Sequence, residues 1–209
     1  MPDTGPGTAA LLRALAGVEL PTLGHVLEEG FCDPAVRTVT PGAPRMGGEA
    51  LTVHLAEPDA LAVNRALVRL PRGGVLVVGV DGGAHAPIGA VTAAAVSARG
   101  GAGIVVDGPV TDLAALRDSG LPVYARGSTC RTTKRLGTAT EAVGAPVTVG
   151  GVRVRTGDLV LGDENGLLVV DPRTFDRSLV EGALRSDRDE PGLVARIRAG
   201  EPLTGLLAL

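Results

Sequence analysis

The sequence predicts an α/β protein: a compact β-α-β sandwich preceded by helices and followed by a helical tail. Three observations lead there. Residues 75–80, Val-Leu-Val-Val-Gly-Val, form the continuous apolar run expected of a strand buried on both faces. A small-residue helical stretch over 88–99 and a second apolar run over 103–106 follow it, and strand, helix, strand at that spacing makes a parallel crossover. Residues 156–170 hold two apolar runs on either side of Asp163-Glu164-Asn165-Gly166, turn residues that tolerate positive φ and so mark a hairpin.

The remaining elements follow in chain order. Residues 1–7, with Pro2, Gly5 and Pro6, are expected to form a disordered start. Apolar spacing over 8–15 is helical, and Pro21-Thr22 can open a second helix, with Thr22 as N-cap and Glu28-Glu29 on its later turns. Alternation over 50–55 predicts a strand. The stretch 59–70 reads as a helix capped by Asp59 and stopped by Pro71 and Gly73-Gly74. After the crossover come a short helix over 113–119, a strand over 121–125 and a strand pair over 147–154 broken by Gly150-Gly151. The charged, amphipathic stretch 174–199 makes one or two helices. A body over 8–172 and a tail over 173–209, packed on the body or on a neighbouring subunit, describe the organisation, and no internal repeat is visible.

Composition narrows the function classes. A chain of 209 residues suits one core. Hydrophobic residues make up 44% but aromatics only 1%, so the core is built from Ala, Val and Leu, and the aromatic platforms of single-strand nucleic-acid binders are missing. Twenty basic residues are interspersed with 23 acidic ones for a net charge of −3, which implies neither a nucleic acid nor a membrane as partner. Cys32 and Cys130 are far apart and show no metal-ligand spacing, which points to reduced thiols. No apolar stretch nears the ~18 residues that span a bilayer, and no basic and apolar leader is visible, so a cytoplasmic location is expected.

One segment concentrates the chemistry. Gly89-Ala90-Val91-Thr92 opens a helix with no capping side chain at its start, and the next strand ends in Asp107-Gly108-Pro109-Val110-Thr111-Asp112. Free amides at a helix start attract a carboxylate or phosphate, and a carboxylate at the end of an inner strand can hold a divalent cation. Plainer roles stand beside these. Asp107 can be a turn former, Asp112 can cap the helix that starts at Leu113, and His85 can be a loop histidine. His25 and His54 have no metal-ligand spacing with any partner.

The run from Gly89 to Asp112, together with Gly151-Val152, Val154, Gly157-Asp158, Val160, Asp163 and Gly166, resembles the class II pyruvate aldolases of the 4-hydroxy-4-methyl-2-oxoglutarate type. That family also contains the regulator of ribonuclease activity A. The resemblance covers roughly residues 8–172. It implies a swivelling β-α-β sandwich assembled as a homotrimer or homohexamer, with the site at a subunit interface. It also implies that the amides of Gly89, Ala90, Val91 and Thr92 bind a pyruvyl carboxylate, and that Asp112 holds a divalent metal, most often Mg2+, partly through water. Two positions depart from the family: Thr111 stands where an arginine would face the keto oxygen, and Ala90 where Asp or Glu is usual. Losing one donor aimed at a developing enolate costs about 3–4 kcal/mol, and a threonine hydroxyl does not replace a guanidinium. Arg126, ending a strand on the same sheet edge, is the first candidate to supply the missing cation, with His85 and Arg131 behind it.

These features lead to a metal-dependent carbon–carbon lyase, an aldolase or decarboxylase, acting on a small 2-oxo acid such as a pyruvate-derived aldol or oxaloacetate. Metal-bound water would then shuttle protons. Two alternatives stand beside it. One is a relative with altered chemistry on a larger or less anionic substrate, and the other a non-catalytic trimeric protein-binding regulator.

Overall fold

A computed structural model describes residues 6–134, 137 and 142–207. The expected disordered start falls mostly on residues 1–5, outside the described residues. Helices α1 (Pro6–Leu15) and α2 (Leu20–Leu23) come first. Strands β1 (Arg37–Thr38) and β2 (Met46–Leu55) lead to α3 (Ala60–Arg69), β3 (Val75–Val80), α4 (Ala90–Ala98) and β4 (Gly103–Val106). Next come β5 (Pro109–Val110), α5 (Leu113–Asp118), β6 (Val123–Ala125) and β7 (Gly127–Ser128). The hairpins β8 (Val147–Val149) with β9 (Val152–Val154) and β10 (Leu159–Asp163) with β11 (Gly166–Val170) precede the long helix α6 (Ser178–Arg198). The chain divides into two compact units, one holding Glu29–Thr174 and the other the flanking segments with α1, α2 and α6.

The larger unit carries a seven-stranded sheet in the order β1-β6-β4-β3-β2-β10-β11. Its centre is parallel: β2 pairs with β3, β3 with β4 and β4 with β6. The crossover through α4 therefore joins neighbouring strands, as the apolar runs predict. Alternation along β3 sends Leu76 and Val78 to one face and Val75 and Val77 to the other. On the first face α3, α4 and α5 contribute Ala62, Val63, Ala66, Ala93, Val96 and Leu116. On the second, the β8–β9 hairpin lays Val147, Val149 and Val154 against Val105 and Tyr124. Gly79 makes this closeness possible, since a Cβ there would lie 2.6 Å from the Val147 Cβ.

Several boundaries differ from the sequence reading, each for a local reason. Strand β2 begins at Met46 instead of residue 50, because Gly47-Gly48 hides the alternation; Gly48 is needed where the Gly73 carbonyl packs against it. Thr22 is not the N-cap of α2. It lies inside that helix, whose N-cap is Glu19, and its hydroxyl donates to Asp187 of α6. The helix stops at Leu23, so Glu28 and Glu29 lie beyond it. Helix α1 starts at Pro6 rather than at residue 8; a proline is tolerated in a first turn because its missing N–H would have no helical partner there. The tail is one helix of 21 residues that accommodates Pro191. Strands β1, β5 and β7 are too short to leave a pattern in the sequence. Among the described residues no helix is long and apolar enough to cross a membrane.

Candidate functional site

The site forms where two connections meet. The loop after β3 delivers Gly89, the extended N-cap of α4, and β5 delivers Thr111 and Asp112. The Thr111 amide donates to the Ile88 carbonyl at 2.9 Å, which ties the two together. Asp112 then turns sharply, with φ 58 and ψ 41. Among the described residues it is the one non-glycine at positive φ, a conformation that Asp enters more readily than most residues because its short side chain can bond locally.

That turn decides where the carboxylate goes. Asp112 occupies the N-cap position of α5 but makes no side-chain capping bond there. Its Oδ2 instead accepts the Ala90 N–H of α4 at 2.9 Å, and its Oδ1 accepts the Thr111 hydroxyl at 3.3 Å. The helix start that the sequence leaves open is thus partly filled by the chain's own anion. Among the described residues the Val91 and Thr92 amides have no partner, so two donors still face outward. Gly89 allows this approach: a Cβ there would lie 2.5 Å from Asp112 Oδ2 and 2.8 Å from Thr111 Cγ2.

Around this meeting point lies an open cavity of about 410 Å³. Its polar lining comes from Asn64 of α3, Thr92 of α4, Thr111, Asp112 and the pair Thr132-Thr133. Asp112 is its one carboxylate, and no Arg or Lys lines it among the described residues. Val91, at the rim, is 84% exposed. The wall bearing Thr132 and Thr133 is held by main chain on both sides. Ala86 N–H donates to the Arg131 carbonyl and Thr133 N–H to the Ala86 carbonyl, while Lys134 N–H donates to the Pro58 carbonyl and Ala60 N–H to the Lys134 carbonyl, all within 2.7–3.1 Å.

Gly89, Ala90, Val91, Thr92, Thr111 and Asp112 therefore come together as expected, whereas Arg126 and His85 do not join them. The Arg126 Nε lies 2.5 Å from Asp107 Oδ1 and its other nitrogen 3.8 Å from Asp33; none of the three lines the cavity. Beside them Cys32 is buried, and burial, reinforced by the Asp107 charge, pushes its thiol up to about 12. His85 lines a neighbouring cavity of about 230 Å³ with Glu57 and Asp81, where His54 Nε2 meets Asp81 Oδ1 at 2.8 Å. Arg131 serves through its carbonyl and its side chain is exposed. Asn64, Thr132 and Thr133 escaped the sequence reading. Two adjacent β-branched residues hinted at extended chain over 132–133, but nothing local placed that segment beside α4.

Among the described residues no three His, Cys, Asp or Glu side chains cluster as a metal cage. A single carboxylate still suits Mg2+, which keeps several waters and often takes only one or two protein carboxylates. Asp112 accepts one hydrogen bond on each oxygen and so retains lone pairs for a cation.

A parallel crossover whose helix start and following acidic turn share one open cavity, with apolar walls and a few polar groups, marks a candidate small-ligand site on an α/β scaffold. The family comparison is specific: the RraA-like model, described as Aldolase/RraA, matches residues 22–169, and the chain belongs to that family. It is 32% identical over 144 residues to a Halalkalibacterium halodurans protein named "Putative 4-hydroxy-4-methyl-2-oxoglutarate aldolase", covering 68% of this chain and 67% of that one. A Burkholderia multivorans protein of the same name is 37% identical over 139 residues, covering 65% and 81%. Among solved structures, the RNA-processing inhibitor RraA from Thermus thermophilis superposes with a TM-score of 0.64 at 30% identity, over 73% of this chain and 92% of that one.

Proposed function

We propose that the protein is a divalent-metal-dependent carbon–carbon lyase that cleaves a pyruvate-derived aldol or decarboxylates a small 2-oxo acid. The observation that carries this reading is the convergence of the α4 amides with Asp112 in one open cavity. The Val91 and Thr92 amides take the substrate carboxylate. Asp112 would hold Mg2+, and that ion would supply Lewis-acid polarisation of a keto oxygen and a more acidic water. The Thr111 hydroxyl, now only loosely bonded to Asp112, turns as a neutral donor toward that oxygen, and the cost of the absent guanidinium predicts a slow enzyme. A homotrimer or homohexamer is the working assembly, with a neighbouring subunit closing the side on which Val91 is exposed, and the cytoplasm is its compartment.

The test is ligand-induced thermal stabilisation. Oxalate, an enolate mimic, at about a hundred times its dissociation constant stabilises by about 2.7 kcal/mol, and raises the midpoint of a chain this size by roughly 5–10 °C. The rise is expected only with Mg2+ present. Asp112→Asn keeps the Ala90 cap, and asparagine also tolerates positive φ, so this variant should fold normally and lose the rise. An unshifted wild type would remove the lyase reading. Likeness to the RNA-processing inhibitor RraA from Thermus thermophilis favours a second reading, a non-catalytic protein-binding member; a stoichiometric partner recovered alongside an unshifted midpoint would support it.

A further inference from the structure

We infer that the part of the substrate beyond the pyruvyl unit is a neutral, hydroxylated chain and not a second carboxylate. This inference rests on the lyase reading and names the substrate class of that same cavity. The first observation is size. At ~30 Å³ per water molecule of liquid, about 410 Å³ leaves ample room beyond a three-carbon acid. The second is the chemistry of the walls. Apart from Asp112, the polar side chains lining the cavity are Asn64, Thr92, Thr111, Thr132 and Thr133, an amide and four hydroxyls that can each donate and accept. A set that both gives and takes hydrogen bonds matches alcohols, which also do both, whereas a carboxylate only accepts and leaves the acceptor half of each group unused.

A third observation concerns Thr133, whose Oγ1 is shielded from solvent with no hydrogen-bond partner among the described residues. A buried hydroxyl without a partner is costly. Rotation about χ1 exchanges the hydroxyl and methyl positions, so a ligand hydroxyl beside Thr133 can give it the partner it lacks. A second carboxylate would find no Arg or Lys among the described lining residues to receive it.

The reaction is a retro-aldol cleavage of a 4-hydroxy-2-oxo acid. The C3–C4 bond breaks and its electron pair passes to C3 as the pyruvate enolate. The C4 hydroxyl gives up its proton, C4 leaves as an aldehyde carbonyl, and a proton returns to C3 to complete pyruvate.

Two five-carbon substrates that differ only at C5 test this. They are 4,5-dihydroxy-2-oxopentanoate, the aldol of pyruvate and glycolaldehyde, and 4-hydroxy-2-oxoglutarate, the aldol of pyruvate and glyoxylate. Pyruvate release is followed for both with Mg2+ present. The dihydroxy acid is expected to have the higher kcat/KM by roughly tenfold, about what one well-made hydrogen bond is worth. Thr132→Val and Asn64→Leu should bring that ratio toward one, chiefly by raising KM for the dihydroxy acid. A merely structural defect would lower both substrates together and leave the ratio in place, which would overturn the inference. Equal or faster cleavage of the dicarboxylate by the wild type would also overturn it while leaving the lyase intact. A wild type with no Mg2+-dependent oxalate shift would instead remove the lyase reading, and the inference with it.

Discussion

Replacing Gly89 by alanine tests the geometry on which the site depends. The new methyl would lie 2.5 Å from Asp112 Oδ2 and 2.8 Å from Thr111 Cγ2, both inside normal contact. Backbone strain is not the issue, because Gly89 has an extended φ of −152 that any residue can adopt. The Asp112 carboxylate must move, and moving it removes the acceptor for the Ala90 N–H. Losing a helix N-cap bond costs about 1 kcal/mol, and forcing extra volume into a packed contact costs about 1–3 kcal/mol. A combined loss of about 2–4 kcal/mol should lower the midpoint of thermal unfolding by roughly 4–16 °C in a chain of this size. Calorimetry measures that loss, and the same samples with Mg2+ and oxalate should show no ligand-induced rise. A variant that melts with the wild type and still responds to Mg2+ and oxalate would refute the claim that close approach of Asp112 to α4 builds the site.

Two more predictions concern groups outside the cavity. Cys32 is buried with its thiol pushed up to about 12 whereas Cys130 is exposed, so a thiol reagent at pH 8 should label one cysteine in the native protein and both after denaturation; rapid labelling of Cys32 in the native state would contradict its placement. Burial raises the carboxyl of Asp158 above its ordinary 3.8, against the lowering effect of the Arg155 N–H bond. The unfolded chain therefore loses this proton first as pH rises, and the stability of the neutral form is lost as pH passes through the raised folded value. Asp158→Asn, neutral throughout and still able to accept the Arg155 N–H, should melt higher than wild type at pH 7, with the gap closing below about pH 3.8; a gap independent of pH would show that charge is not the cause.

The scaffold was legible in the sequence wherever a local pattern matched a local cause. The run 75–80 is apolar throughout because both faces of β3 are covered, and Asp59 was readable as a cap because its acceptor, bonded to the Leu61 N–H, serves its own helix. The site was legible as a set of residues but not as a geometry. Asp112 occupies the capping position before Leu113 that local rules assign, yet its carboxylate serves another helix across a tertiary contact. Arg126 ends its strand on the anticipated edge, but the adjacent Asp107 binds it first. Thr132 and Thr133 reach α4 through main-chain pairing with Ala86, and main-chain pairing does not reveal its register in side-chain identity.

The anchoring of residues 132–134 through main-chain amide and carbonyl groups has an evolutionary corollary. Because these bonds do not involve the side chains of Thr132 and Thr133, substitution at the exposed Thr132 can alter the cavity wall without removing the contacts that hold it.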